Sequence, residues 1–454
     1  MILERDERID ALEARLANIE RMLSWSKKDS STSSKPPSSD IVKPPMPAPK
    51  KGVKRKAGGQ PGHDRHERKR LPPEQLFAQY EYSARCCSTC AGALSKSPRA
   101  PKILQNVELV GRAFQVTEHA AMWSWCPRCR AHERADLPDG VAKSGLFGPR
   151  MKAFVAYMKG ACHMSYTTIQ AMLADVLSIP ASTGYLAKVV DSVSVALDLP
   201  YAQLREALAG EPLLNVDETG HKDSGKRYWT WCFRAQRYTV FKIDPSRGSC
   251  VLEEVLGDTF GGVLGSDLYS AYVKYAKAHD IVTQICLAHL IRDLRYLTTL
   301  TDRVTKNYGK RVLDAVKELF KIIHRRDQMQ AAAFLRALEK AKAVVIRKAK
   351  GAPMRLEART MAERFRVHGE SYFTFMTSPG VEPTNNSAER SIRHVVIDRR
   401  ITQGTRGTRG QRWSERIWST LASCAQQKRS AFDLISQAVH AQHNGLAPPS
   451  LLPA

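Results

Sequence analysis

Three acidic segments that lie far apart in the chain carry the side chains best suited to chemistry. Asp217 and Glu218 stand together in "LLNVDETGH", Asp267 ends "GGVLGSD", and Glu389 lies in "NNSAER". Carboxylates gathered in a low-dielectric site repel one another, and divalent cations that prefer oxygen ligands, such as magnesium or manganese, remove that repulsion. Two such ions can clamp the attacking and leaving oxygens of a displacement at phosphorus. Asp217, Asp267 and Glu389 are therefore the candidate ligands of a phosphodiester-cleaving metal site.

Each acid also has an ordinary structural explanation. Asp217 can be a turn residue at the end of a strand, and Asp267 can cap the helix that begins in "LYSAY". Glu389 can form a surface ion pair with Arg393, four residues later on a helix. Residue spacing alone leaves these explanations open.

The segments around the acids predict an α/β arrangement. "LLNVDE", "RYWTWCFR" and "YTVFKI" predict three consecutive strands, and "GGVLGSD" and "IVTQICLAH" predict a fourth and a fifth. "SCVLEEVL" and "LYSAYVKYAKAH" predict helices between them. Asp217 would close the first strand and Asp267 the fourth, so both carboxylates emerge at one sheet edge if these strands are neighbours. Glu389 would come from a later helix in "VEPTNNSAERSIRHVVIDRR".

Helices are predicted for most of the remaining chain from residue 141 onward. Residues 141–205 indicate a helical region that binds DNA or links domains, and residues 411–454 indicate a C-terminal helical segment. From about 290 to 380 the pattern is again helical, and Leu287, Leu290, Leu294 and Leu297 share one helix face.

The charge of the protein favours a nucleic-acid partner over a protein with merely solvated basic faces. The chain has 70 Lys and Arg against 45 Asp and Glu, a formal net charge of +25. The cations cluster, with 13 against four acids in residues 27–70 and seven arginines against one acid in Arg390–Arg412. The predicted DNA contacts are Lys54, Arg55, Lys56, Arg390, Arg393, Arg399 and Arg400.

Targeting signals are absent from the sequence pattern. No apolar run approaches the roughly 18 residues of a membrane span, and "MILERDERID" is too charged for a signal peptide. A soluble cytoplasmic protein is expected, associated with the nucleoid when it is bound to DNA.

The first 80 residues predict a helix followed by a basic linker. In residues 1–25, Ile2, Ile9, Leu16 and Leu23 are spaced by seven, and Leu12 and Ile19 occupy intervening positions, although Arg5 breaks the first of these. This pattern favours a coiled coil and self-association. A single amphipathic helix docked on its own domain is the alternative. Residues 26–80 are rich in Ser, Pro, Lys and Gly, include "GGQPGH", and indicate a largely disordered linker.

Two CxxC pairs predict a small zinc-binding domain over residues 81–140. Cys87, Cys90, Cys126 and Cys129 would hold one structural Zn²⁺ in a tetrahedral site that leaves no position open for substrate. Cys86 is a rival ligand beside Cys87, and the 35 residues between the pairs exceed the usual ribbon spacing. Buried, metal-free thiols are the alternative.

Taken together and in order, these motifs resemble the IS sixty-six family of DDE-type bacterial insertion-sequence transposases. "SSKPPSSD" with "GGQPGH" is similar to its basic segment, and "CSTCAGAL" and "CPRC" to its zinc-binding domain. "NVDETG", "GSDLYSAY" and "CLAHLIRDL" resemble its central domain, and "NNSAERSIR" its C-terminal catalytic segment. Two departures are a His at 221, where tryptophan often follows, and "DRRITQGTRG" where a stretch like "GRKNWLF" is expected.

The resemblance implies an RNase H-like, retroviral-integrase-like core over residues 206–410 with a helical insertion at about 290–380. It places catalytic carboxylates at Asp217, Asp267 and Glu389, with Asp217 bridging two Mg²⁺ or Mn²⁺ ions. The partners would be element ends, target DNA, further copies of the chain and two small accessory proteins of the same element.

The expected mechanism is strand cleavage by activated water, followed by attack of the freed 3′-hydroxyl on target DNA. Arg390 and Arg393 would contact phosphates near the metals, and His289 would orient a phosphate or the water, unless it simply packs at a helix start. The alternatives are a decayed, non-enzymatic DNA-binding or regulatory protein and a metal-dependent nuclease that cuts without strand transfer.

Overall fold

The computed structural model describes residues 72–76, 79, 91, 114–128 and 130–453. The chain divides into two compact units, one over Pro45–Glu118 and one that includes residues 119–453. In the first unit the described part contains a 3₁₀ turn at Pro73–Gln75. The predicted coiled coil at 1–25 lies outside the described residues, as does nearly all of the predicted linker, so both remain predictions.

The second unit contains seven strands and fourteen helices of four residues or more in its described part. Its first elements are β1 (Trp123–Cys126), β2 (Ala131–Arg134), α1 (Asp139–Ala142), α2 (Pro149–Gly160), α3 (Tyr166–Leu177), α4 (Thr183–Ala196) and α5 (Asp198–Ala207). The sheet region contains β3 (Leu213–Asp223), β4 (Lys226–Arg234), β5 (Thr239–Asp244), α6 (Cys250–Leu256), β6 (Val263–Ser266), α7 (Ser270–Ala278) and β7 (Thr283–Ile285). The remaining helices are α8 (Leu287–Thr299), α9 (Arg303–Ile323), α10 (Ala331–Lys350), α11 (Leu356–His368), α12 (Asn386–Thr402), α13 (Gly407–Gln427) and α14 (Ala431–His443).

The predicted mixed α/β architecture is confirmed by a five-stranded sheet of order β5-β4-β3-β6-β7. β3, β4 and β5 are antiparallel neighbours, and β3, β6 and β7 run parallel to one another. The first and fourth predicted strands, β3 and β6, are neighbours, because Leu213–Asn215 pair with Val263–Gly265. The ends of β6 and β7 therefore lie at the edge of the sheet toward which Asp217 extends from β3.

Two strand boundaries differ from the prediction. Asp217 does not close the first strand, since β3 continues to Asp223 and pairs with β4 along its whole length after its pairing with β6 has stopped. The fifth strand ends at Ile285, before "CLAH", because the amide of Leu287 already bonds to the carbonyl of Pro383 as α8 begins.

Helix α13 covers the edge of the sheet along β5. Every second amide of β5 donates to a side chain of α13: Ile243 to Glu415 Oε1 (2.7 Å), Phe241 to Ser419 Oγ (2.9 Å) and Thr239 to Ser423 Oγ (3.1 Å). The three acceptors are spaced by four residues, which places them on one helix face. These bonds satisfy edge amides that would otherwise be free to pair with another strand.

The helices between β7 and α12 pack around a core of their own. The leucines predicted to share one helix face are all buried in this second core, with Tyr308, Val312 and Phe365 among their neighbours. The sheet and the other helices surround a larger core that includes Trp231, Trp418 and Tyr272. The predicted helical segment at about 290–380 is therefore packed around a core separate from that of the sheet.

Residues 141–205 are mostly helical. The chain leaves the helix at Ser178 in "SIPAS" and again at Leu197, and α5 then begins at Asp198 with Pro200 in its first turn, where no amide bond is lost. In the described part of the chain no helix has the length and apolar composition required to cross a membrane.

Candidate active site

Asp217 lies in the middle of β3 on the side that meets α12. Its neighbours two residues away contact that helix: Asn215 Oδ1 accepts from Ser387 Oγ at 3.1 Å, and Thr219 Oγ1 accepts from Arg399 at 3.0 Å. Burial, followed by the charges of Glu218, Asp267 and Glu389, holds the pKa of Asp217 well above its ordinary value. The charges of Asp267 and Glu389 therefore both act on Asp217, which links the three acids nominated from the sequence.

Asp267 directly follows β6. Its Oδ1 accepts from the amide of Tyr269 at 2.9 Å, as in a turn that leads into α7. Burial and the charge of Glu218 raise the pKa of Asp267, whereas His289 and the Tyr269 bond act in the opposite direction. Asp267 does not cap the helix, because the N-cap residue of α7 is Tyr269 and no side chain caps that position. The carboxylate instead accepts within the turn before the helix, and its charge acts on Asp217.

Glu389 lies in the first turn of α12 and is paired with Arg292 of α8. Arg292 Nη2 is 3.3 Å from Oε1 and 3.1 Å from Oε2 of the carboxylate. Arg393, the expected surface partner, is exposed on the same helix. The pairing partner therefore comes from 97 residues away in the chain rather than from the next turn.

His289 lies buried in the first turn of α8 between Arg292 and the acids. Its Nε2 is 3.2 Å from Nη1 of Arg292, and its Nδ1 is 3.6 Å from Oε1 of Glu389. Because a guanidinium can only donate, Nε2 accepts and the ring proton is on Nδ1, on the side of Glu389. Burial lowers the pKa of His289 and outweighs the opposing effect of Asp267, which favours the neutral ring.

The start of α8 and the approach to α12 are joined beside β3. The Asn385 amide nitrogen is 3.1 Å from Cys286 Sγ, and its Nδ2 donates to the carbonyl of Val216 at 2.8 Å. Asn385 Oδ1 is buried without a hydrogen-bond partner. These contacts hold the starts of the helices that bear His289 and Glu389 next to Val216, the residue before Asp217.

Glu218 has partners of its own, although its charge also acts on Asp217 and Asp267. Its side chain is only 2% exposed, accepts from Arg247 Nε at 2.9 Å and Nη2 at 2.6 Å, and bonds to the hydroxyl of Tyr272 in α7. Side chains alternate along a strand, so Glu218 lies toward α7 while Asp217 lies toward α12. This alternation explains the two adjacent acids, which have different partners.

The predicted DNA-contact residues are only partly described. Arg390, Arg393 and Arg400 are exposed on α12, whereas Arg399 is half-buried and bonded to Thr219. Lys54, Arg55 and Lys56 lie outside the described residues.

The predicted zinc ligands are almost entirely beyond the described residues. Cys87, Cys90 and Cys129 lie outside them, as does the rival Cys86, and Cys126 is described only as the last residue of β1. β1 and β2 form an antiparallel hairpin in which Cys126 pairs with Ala131. The zinc site remains a prediction.

Arg292, Cys286 and Asn385 are site residues that the sequence reasoning did not nominate. Cys286, His289 and Glu389 have potential ligand atoms within 4.8 Å of one another in the described part of the chain. Burial raises the pKa of Cys286 to about 11, so it is a thiol at neutral pH. The Cys-x-x-His spacing of "CLAH" is the pattern that indicates this group.

Three carboxylates are the donor type that a hard divalent cation takes, and the half-buried side chains of Asp217, Asp267 and Glu389 are the ones that would hold it. Asp267 and Glu389 raise the pKa of Asp217, and a bound cation would relieve that repulsion. Among the described residues, however, the possible ligand atoms that lie within 4.8 Å of one another belong to Cys286, His289 and Glu389 and not to the three acids. The unpaired Asn385 Oδ1 shows that polar groups of this region are not fully satisfied by protein atoms alone.

Comparison with known proteins identifies the family. The sequence model of the "Transposase IS66 family" matches residues 144–412, more than half of the chain.

The chain belongs to the IS66 transposase family.

The matched range of the IS66 family includes β3, β6, α8 and α12, which carry the acidic cluster. A second match, to a family of unknown function (DUF6444), covers residues 3–69. The uncharacterized protein y4hP of Sinorhizobium fredii (strain NBRC 101917 / NGR234) is 26% identical over 357 residues, which are 69% of this chain and 62% of that protein. The chain thus spans less than two thirds of the length of this relative.

Proposed function

We propose that this IS66 family member is a DNA transposase that binds the ends of its insertion sequence and catalyses strand cleavage and strand transfer. The observation that carries the proposal is the electrostatic convergence of Asp267 and Glu389 on Asp217, because it gathers three carboxylates from β3, the end of β6 and α12. Under this proposal the five-stranded sheet would be an RNase H-like core interrupted by the helices α8–α11.

Asp217, Asp267 and Glu389 would hold two Mg²⁺ or Mn²⁺ ions. When bound, the ions supply charge stabilisation at phosphorus and a water of lowered pKa. The side chains themselves do the positioning: Asp217 is fixed by the strand, and Glu389 by the contacts of α12. Arg292 neutralises Glu389 and lies at the rim of the cluster, where its guanidinium can contact a phosphate.

His289 would be a positioning residue in this site. Its Nδ1 is buried without a hydrogen-bond partner 3.6 Å from Glu389 Oε1, so the neutral ring has an N–H that could bond to the carboxylate or to a phosphate oxygen. Arg390 and Arg393 on the exposed side of α12 are the proposed contacts to DNA beyond the cleavage point.

The remaining parts of the proposal concern assembly. A four-cysteine Zn²⁺ site at residues 81–140, a coiled coil at residues 1–25 and the basic segment between them would bind DNA and a second copy of the chain. Element ends, target DNA and small accessory proteins of the same element are the proposed partners.

A plasmid assay tests the function. A supercoiled donor plasmid that carries the element's terminal repeats is incubated with the full chain, target DNA and Mg²⁺. Joined products support a transposase, nicking alone supports a nuclease, and retardation alone supports a non-enzymatic DNA-binding protein. Asp217→Asn should abolish cleavage and joining while DNA binding is retained, and Asp314→Asn, an exposed acid on α9, is the matched control. Wild-type levels of joining by Asp217→Asn would refute the proposal.

A further inference from the structure

Two arginines and two aromatic rings lie together beside β4: Arg227 and Trp229 belong to this strand, Arg247 follows β5, and Tyr269 precedes α7. Cζ of Arg227 is 4.8 Å from the ring centroid of Trp229, and Cζ of Arg247 is 4.5 Å from the same centroid. Arg247 also lies 4.0 Å from the ring centroid of Tyr269. We call Arg227, Trp229, Arg247 and Tyr269 the arginine–aromatic strip.

One end of the strip is bonded to the candidate active site. The amide of Tyr269 donates to Asp267 Oδ1 at 2.9 Å, so the ring beneath Arg247 belongs to the turn that carries this acid. The charge of Arg247 also acts on Asp267, opposing the rise in pKa that burial and Glu218 cause.

The other end of the strip reaches the basic tip of the β3–β4 hairpin. Lys222, Lys226 and Arg227 are exposed there. The one acid of this tip, Asp223, is turned inward, where its Oδ1 accepts from Thr405 Oγ1 at 2.7 Å and from the amide of Gly407 at 2.8 Å. The exposed charge of the hairpin tip is therefore positive.

The guanidinium of Arg247 is oriented and still has donor capacity. Its Nε and Nη2 donate to the buried Glu218, Nη1 makes no hydrogen bond within the described part of the chain, and the side chain is 39% exposed. Stacking on two rings and an ion pair restrict the side chain, which lowers the entropy lost when it binds a ligand. Such a guanidinium suits a phosphate, which it can approach with a fixed geometry.

We propose that Arg227 and Arg247, oriented by Trp229 and Tyr269, bind phosphates of the DNA strand that leads into the carboxylate cluster. This inference rests on the proposed function for the identity of the ligand. Both guanidinium groups lie within 4.8 Å of the centroid of the Trp229 ring, so they are close enough together to contact neighbouring phosphates of a single strand. The aromatic rings orient the cations, and the strip thereby guides the strand from the hairpin tip to Asp267.

The salt dependence of DNA binding tests the strip. Binding of a fluorescein-labelled duplex carrying the element's terminal repeat is followed by anisotropy in EDTA, where no cleavage occurs, over a series of salt concentrations. Each phosphate contact contributes about 0.9 to the slope of log affinity against log salt. Arg227→Met and Arg247→Met should each reduce the slope by about this amount and weaken binding, and the double variant by about twice as much.

A matched control is available in Arg205→Met. Arg205 also pairs with a glutamate, Glu254 at 2.6 Å, and is 30% exposed. It should leave the slope unchanged. Arg247→Met leaves Glu218 buried without its cation, so the double variant Arg247→Met/Glu218→Gln is measured as well. Arg227 has no ion pair in the described part of the chain, so the salt slope of Arg227→Met tests phosphate contact without this complication.

The outcomes separate the strip from the proposed function. If Arg227→Met and Arg247→Met both give the same salt slope as the wild type and Arg205→Met, the arginine–aromatic strip does not bind phosphates. Cleavage by the wild type would still support a transposase in that case. Affinity that falls with no change in slope also overturns phosphate contact. Failure of the wild type to bind the duplex at all overturns the proposed function and the strip together.

Discussion

Asn385 donates a hydrogen bond from Nδ2 to the carbonyl oxygen of Val216 at 2.8 Å, across 169 residues of sequence. Val216 precedes Asp217, and Asn385 precedes the helix that carries Glu389. The backbone amide of Asn385 is bonded in turn to Cys286, which precedes the helix of His289. One buried residue, through its side chain and its backbone amide, therefore joins the three segments that supply the candidate active site.

Replacing Asn385 should loosen this junction. Asn385→Ala removes the bond to Val216 and leaves a buried carbonyl without a partner, so the free energy of unfolding should fall by about 1–3 kcal/mol. Urea denaturation measures the change. Ser387→Ala, which removes the nearby half-buried bond to Asn215, is the control and should cost about 1 kcal/mol or less. Wild-type stability of Asn385→Ala would show that the junction does not depend on this bond.

Magnesium should stabilise the fold more strongly as pH rises. The pKa of Asp217 is raised by burial and by the neighbouring acids, so the ion must displace a proton that an ordinary aspartate would already have lost. The metal-dependent rise in Tm should therefore be larger at about pH 8 than at roughly pH 6. At about a hundred times its dissociation constant, the ion adds about 2.7 kcal/mol.

Differential scanning fluorimetry with Mg²⁺ and with EDTA measures the metal-dependent rise in Tm at each pH. Asp217→Asn should remove most of this rise. A shift that is independent of pH, or one that Asp217→Asn retains in full, would contradict the assignment of Asp217 as a ligand.

Removing Arg292 should strengthen metal binding. Its guanidinium contacts both oxygens of Glu389, so it competes with a cation for the same carboxylate. Arg292→Gln should lower the apparent dissociation constant for Mn²⁺ by about tenfold, the equivalent of about 1.4 kcal/mol, measured by calorimetry or manganese electron paramagnetic resonance. Arg295→Gln, an exposed residue of the same helix, controls for net charge. Equal affinity in Arg292→Gln and Arg295→Gln would mean that Arg292 does not compete.

His221 should make the fold sensitive to mild acid. Its Nε2 lies 3.0 Å from Thr405 Oγ1, which donates to Asp223, so Nε2 carries the proton and the buried Nδ1 has no partner. Burial, with a contribution from Arg399, lowers the pKa of His221 to about 4. Between roughly pH 6.5 and this value the unfolded chain binds a proton that the folded chain does not, so stability falls as pH falls.

The size of this effect is roughly 2–3 kcal/mol across that window. His221→Gln keeps an N–H donor for Thr405 but cannot titrate, and its free energy of unfolding should therefore decline less between about pH 6.5 and pH 4. His324→Gln, a residue at the end of α9, is the control. Identical pH profiles for the wild type and His221→Gln would exclude this source of acid sensitivity.

Local structure was largely predictable because it depends on patterns within a few residues. Alternating apolar positions in "RYWTWCFR" and the leucine spacing from Leu287 to Leu297 indicate a strand and a helix face without any information about the rest of the chain. The same patterns misplaced the ends of β3 and β7, since a strand ends where its partner ends. Asp217 is not the last residue of β3 because β4, a separate segment, pairs with the strand as far as Asp223.

By itself, then, the sequence determined the elements of the sheet, the basic character of the chain and the three acids that merit attention. Only the tertiary structure decided that β3 and β6 are neighbours, that Glu389 pairs with Arg292 rather than Arg393, and that Asn385 joins β3 to α8 and α12. The physical reason is range: periodicity acts over one or two turns, whereas these relationships are hydrogen bonds and ion pairs between segments about 50 to 170 residues apart, which form only when the whole core has packed.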